Sequence, residues 1–166
     1  KGEKKEFYSL SGKAGLEYRI TGRHIINING AYIDRPPTIR NSFSNSRENH
    51  NFVNDLDTEK IYSAEGTYSM NVKPIKLNLT GYYTKFENMT EISFFFAQGL
   101  SGLEESSDFV SEIMSGTSRE HYGLEFGAES NITSTIKLSS GVAFGEYIYT
   151  DNPNLYLTSD DINGVA

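Results

Sequence analysis

Cysteine and tryptophan are both absent from this chain of 166 residues. Without cysteine there is no disulfide framework, no thiol nucleophile and no thiolate-bound metal. Long apolar runs are missing too: no stretch of about 18 apolar residues occurs, so no helix of this chain can cross a bilayer. Barrels stay open, because their strands are short and apolar only at every second residue. Basic charge is scarce, with 15 Lys and Arg against 22 Asp and Glu and a formal net charge of −7. That excludes a nucleic-acid surface, which needs clustered cations. Apolar residues amount to 37%, below the roughly 45–50% usual for globular domains, as expected if one face of a sheet is wet. The opening "KGEKKEFYSL" lacks the apolar core of a signal peptide, and the closing "DDINGVA" carries no strand or cap signal. Both ends are expected to be cuts inside a longer protein.

What the chain does have is 11 Tyr and 10 Phe, set among Thr, Ser, Asn and Gly. These residue types favour strands. Six segments alternate with period 2, the mark of a strand with one apolar face. They fall near 7–20, 24–33, 60–71, 76–87, 119–130 and 136–149. In "LNLTGYYTKF", for example, Leu77, Leu79, Gly81 and Tyr83 point one way and Asn78, Thr80, Tyr82 and Thr84 the other. Within pairs the connections are short, namely "TGR", "NVKPI" and "NITST", as in hairpins. Between pairs lie long stretches, 34–59 and 88–118, followed by 150–166. Short turns on one edge and long loops on the other match an outer-membrane barrel.

The apolar face touches either a protein core or lipid, and three features favour lipid. Tyr8, Tyr32, Tyr62, Tyr83 and Tyr122 all fall at strand ends beside the long loops, as an interfacial aromatic girdle would. The opposite face carries Lys13, Glu17, Arg19, Glu65, Glu125, Glu129 and Lys137 among small polar residues, which suits a watery lumen. Several runs reach about 10 residues, the length needed to cross a bilayer at a tilt. The expected fold is all-β: an antiparallel meander of about six transmembrane strands within a larger barrel. Its lipid-facing residues are Leu10, Leu16, Ile28, Leu77, Leu79, Leu124, Phe126 and Val142.

The order of four stretches resembles the β-barrel of TonB-dependent outer-membrane receptors: "DRPPTIRNSF", "NDLDTEKIYSAEGTYSMN", "KLNLTGYYTKFENMTE" and "REHYGLEFGAE". Asp55 stands where that family usually has Pro, and Asp57-Thr58 where it often has a basic residue and Pro. The resemblance implies a barrel of about 22 strands with a plugged lumen, of which this chain would be roughly a quarter. It implies the outer membrane of a Gram-negative bacterium and import of a scarce or bulky nutrient: a siderophore, vitamin, oligosaccharide or peptide. Energy would come from the TonB coupling protein through an N-terminal plug region that lies outside this chain. A passive pore or adhesin barrel, and a soluble all-β ligand-binding domain, are the alternatives.

Ligand capture is expected on the long loops. Arg35, Arg40, Phe43, Arg47, His50 and Phe52 in the first offer guanidinium forks and rings suited to an anion or a sugar. Phe94 and Phe95 in "ISFFFAQGL" extend the wall or fold over the ligand. Glu104, Glu105, Asp108 and Glu112 offer oxygen ligands for a cation, but in no known loop spacing, and an acidic solvated loop explains them. His24, His50 and His121 show no metal spacing, and no nucleophile, base and orienting group converge. Neither a metal, a cofactor nor an enzymatic activity is expected. The Asn-x-Thr sequons at Asn78, Asn88 and Asn131 are read as chance.

Overall fold

The computed structural model describes residues 4–47, 50–98 and 107–159. Seven strands are present: β1 Ser11–Thr21, β2 His24–Arg35, β3 Glu59–Val72, β4 Ile75–Gln98, β5 Ser107–Asn131, β6 Lys137–Tyr149 and β7 Asn154–Ser159. The other regular element is a 3-10 turn at Ile39–Asn41, and no α-helix occurs among the described residues. Strands β1 to β6 form one antiparallel meander in chain order. The all-β antiparallel expectation therefore holds, as an open sheet.

Strand β7 resumes the path of β6. Arg119 of β5 pairs with Tyr149 and Ser115 with Asn154, so both strands run along the same edge of β5. Thr150 bridges the break by donating its N–H to the Ser118 carbonyl at 3.0 Å. The tight turns after β1, β3 and β5 share one edge, and both long connections leave from the other. The β5–β6 turn is closed from within: the Ile136 N–H donates to Thr133 Oγ1 at 3.0 Å, and the Ile132 N–H donates to the Ile136 carbonyl at 2.9 Å.

Two expected loops turn out to contain strand. The stretch 88–118 is mostly hairpin, since β4 runs on to Gln98 and β5 begins at Ser107. Likewise 150–166 contains β7. Asn88 (φ 56°) and Gly116 (φ 73°) are the physical reason. Such residues read as turn signals, yet here they are bulges that absorb a register change and let the ladder continue. Phe86 pairs with Arg119, Met89 with Thr117 and Glu91 with Met114, so the shifts on the two strands offset each other. The break between β6 and β7 lies at the same height. Three neighbouring strands are thus irregular along one line, and a smaller lobe lies beyond it.

That lobe contains the buried core. Ile92, Ile113 and Tyr156 are register neighbours across β4, β5 and β7 and therefore share a face. Val53 and Leu56, from the β2–β3 connection, pack on this face with Phe7 and Phe52. Polar ties hold the connection down. The Asn41 side-chain amide donates to the Thr90 carbonyl at 2.7 Å, and the Asn88 amide donates to the Thr58 carbonyl at 3.0 Å. Phe43 bridges Phe52 through the backbone, and their rings stack at 5.0 Å.

Below the irregular line the sheet is a single layer. Strands β1 to β6 touch only their sheet neighbours there, and among the described residues no other element packs on either face. The chain exposes 11398 Å², whereas a compact monomer of its 18.6 kDa mass would expose about 8,200 Å². The excess is what an unpacked sheet with two bare faces produces.

Candidate functional site

The two bare faces differ in chemistry. Register places Leu16 beside Ile28, Met70 beside Leu77, Leu79 beside Phe126, and Phe126 beside Val142. The eight residues expected to face lipid therefore share one face. Leu16 is 65% exposed, Leu79 45% and Val142 51%; Leu77 alone among the eight is half-buried. Tyr32 lies directly opposite Tyr62, and Tyr83 directly opposite Tyr122, one pair two residues below the other.

Charge on this face begins at those tyrosines. Glu146 pairs with Tyr122, Lys85 with Glu120, and Lys60 with Glu87. The Lys85 ammonium ion-pairs with the Glu87 carboxylate at 2.7 Å. Below the Tyr83–Tyr122 row, no Asp, Glu, Lys or Arg occurs on this face down to the tight turns. From the Tyr83–Tyr122 row, which is Ala64 on β3, to Val72 the band is about 26 Å long, measured along β3.

The opposite face is lined by hydroxyls, amides and charges. Thr67 and Thr80 hydroxyls meet at 3.0 Å, those of Ser63 and Thr84 at 3.3 Å, and Lys137 pairs with Glu129 at 2.8 Å. Just below the irregular line this pattern changes, and bulky rings replace the small residues. Tyr82 lies in one row with Gly123 and Gly145. The two glycines let the Tyr82 ring lie across them, because a Cβ at either would come within 2.7 Å of its hydroxyl. That hydroxyl reaches the Tyr147 hydroxyl at 3.0 Å.

His121 then sits between Tyr147 and Phe86, with ring centres 4.7 and 4.9 Å away. Arg119 covers Phe86 at 5.0 Å and ion-pairs with Glu91 at 3.1 Å. Glu91 also accepts a hydrogen bond from the Tyr149 hydroxyl at 3.4 Å. The outcome is an aromatic platform with polar edges, and Tyr147 and Tyr149 are the most open of its rings.

The residues nominated in the sequence for ligand capture do not assemble into one site. Arg35 ion-pairs with Glu59 at 2.9 Å, and the Glu59 side chain is only 3% exposed. Phe43 and Phe52 pack against each other and Phe52 against the core of the small lobe. Arg47 lies over the Phe109 ring at 4.4 Å. Arg40 and His50 are exposed. Phe94 and Phe95 are also exposed, but as neighbours on β4 they point to opposite faces of the projecting hairpin.

The three histidines are spread over the start of β2, the first connection and the platform, where only His121 joins the aromatic cluster. No cluster suited to a metal occurs among the described residues. Glu104, Glu105 and the Asp108 side chain lie outside them. The platform was missed in the sequence because ring contacts depend on register. Its signal was nonetheless present: Tyr82, Phe86, His121, Tyr147 and Tyr149 are large residues at positions of the polar face. No protein-family model, curated protein or solved structure matches the chain.

Proposed function

We propose that this chain is part of the wall of a TonB-dependent outer-membrane receptor, with the uncharged face against lipid and the polar face lining the lumen. One observation carries the membrane half of this reading: an uncharged apolar face, bounded above by tyrosines and below by tight turns, with no protein layer over it among the described residues. At a barrel tilt of about 40° the β3 stretch below the Tyr83–Tyr122 row would stand about 20 Å tall, against about 25 Å for the apolar band of such barrels. In water the same face would be an apolar patch larger than monomers tolerate. Strands β1 and β6 would then pair with further strands of the receptor, since unpaired edges do not survive in lipid.

The energy-coupled half rests on the ordered stretches from "DRPPTIRNSF" to "REHYGLEFGAE". The proposed activity is uptake: a ligand is captured at the outer end, where the small lobe sits, and passes along the polar face. Catalysis has no part in it. The test is fractionation and transport with the intact protein. It should sediment with the outer membrane, require detergent for extraction, and lose uptake when the proton gradient is collapsed. Extraction in plain buffer would refute the membrane reading, and uptake indifferent to the gradient would leave a passive pore.

A further inference from the structure

We infer that the platform built from Tyr82, Phe86, Arg119, His121, Tyr147 and Tyr149 is a ligand site, and that its ligand is a neutral, hydroxylated ring compound of the oligosaccharide class. The inference rests on the proposed receptor role only for the route by which a ligand reaches this face.

Ring chemistry is the first reason. A sugar presents an apolar C–H face and a rim of hydroxyls, and binds where flat rings are bounded by a few fixed polar groups. Tyr147, 66% exposed, offers its ring to solvent while its hydroxyl is held by Tyr82 at 3.0 Å. At the rim, Glu91 and Arg119 are joined at 3.1 Å, giving acceptors and donors side by side without net charge.

Charge is the second reason, and it selects among ligands. Arg119 is the cation of the platform and is already paired. Glu125 sits one step below Tyr82 on the same face, in the row of Thr80, and has no ion-pair partner among the described residues. An anionic metal chelate would therefore meet a neutralised guanidinium and a free carboxylate. A neutral ligand meets no such repulsion.

Position is the third reason. The rings occur at one end of the polar face only, next to the irregular line and the small lobe, while the rest carries Ser, Thr, Asn, Gly and charges with a few aliphatic residues such as Ile25, Ala31 and Ala143. A purely structural role accounts for Tyr82, which fills the space over Gly123 and Gly145. It does not extend to Tyr147 and Tyr149, which lie over no glycine gap of that kind; their openness is shared by every residue of the edge strand β6, so the ring contacts with His121 and Glu91 rather than exposure set them apart.

The test uses the intact receptor in detergent and isothermal titration calorimetry. The probes are maltoheptaose, cellohexaose, xylohexaose and mannohexaose, with the ferric complex of 2,3-dihydroxybenzoate as the anionic arm. At least one neutral glycan should bind, and Tyr147→Ala should weaken it about tenfold, the worth of a good ring contact. Tyr147→Phe should retain most of the affinity, and Tyr18→Ala on the opposite face should retain all of it. The inference is overturned if none of the four glycans binds, if Tyr147→Ala binds as tightly as wild type, or if the ferric chelate binds this platform more tightly. Fractionation separates the two readings. A membrane-extracted protein that ignores glycans sinks only this inference, whereas a glycan binder soluble in buffer sinks the membrane role and leaves the site.

Discussion

Arginine at position 79 asks the sheet directly what covers it. Leu79 lies midway between Ile75 and Tyr83 on β4, with Tyr68 and Phe126 as register partners, and is 45% exposed. Each end of the apolar band is about 13 Å away along the strand. If lipid covers this face, the guanidinium enters near the bilayer midplane, at a cost of about 2–4 kcal/mol. If water covers it, replacing an exposed leucine changes stability by only about 0.5 kcal/mol. The control is the next residue. Thr80→Arg on the polar face loses the 3.0 Å hydroxyl contact with Thr67, worth about 1 kcal/mol, and leaves the new charge in water. Urea unfolding of the intact protein in phosphatidylcholine vesicles reads both variants. Leu79→Arg should be the less stable by about 1–3 kcal/mol. Equal stability, or a worse result for Thr80→Arg, would refute the assignment of the faces.

Other consequences concern the parts around that band. Gly123→Ala should destabilise by about 1–3 kcal/mol, because its Cβ would collide with the Phe144 carbonyl oxygen and the Tyr82 hydroxyl. Gly127→Ala on the same strand meets nothing within 4 Å and should be neutral in the same unfolding assay. Arg35→Ala leaves the buried Glu59 carboxylate uncompensated, a loss of about 1–3 kcal/mol after allowing for the exposed arginine. It should speed amide exchange in 36–58, and Arg35→Ala with Glu59→Gln should recover part of the protection. Replacing 36–58 by a short turn removes Val53 and Leu56 from Ile92 and Ile113. Uptake should be abolished while heat-modifiable gel mobility still reports an assembled barrel.

The lower sheet was legible in the sequence because each strand obeys a single rule. Period 2 sorted Leu77, Leu79 and Tyr83 from Asn78, Thr80 and Tyr82, and the pairing of Tyr83 with Tyr122 followed from where the strands begin. The upper lobe was not legible, for a local reason. Asn88 and Gly116 imitate chain reversal, and whether a positive φ makes a turn or a bulge depends on the neighbouring strand. The contacts of the nominated ligand residues were not legible for a related reason. Arg35, Phe43 and Phe52 are types that bind ligands, but the same chemistry binds Glu59 and a neighbouring ring, and composition does not distinguish the two uses. The rings of the platform come from β4, β5 and β6, so only cross-strand register brings them together.

Cysteine is absent from this chain, so single cysteines introduced along β4 report without background from it. Spin labels at each position from Ile75 to Tyr83 of the intact protein in vesicles can be read for collision with oxygen, which concentrates in lipid, and with a nickel chelate, which stays in water. With lipid on the apolar face, the expected result is two period-2 profiles in opposite phase: oxygen highest at Leu77, Leu79 and Gly81, the nickel chelate highest at Asn78, Thr80 and Tyr82. Nickel access at Leu79 equal to that at Thr80, or neither reagent reaching Leu79, would contradict it.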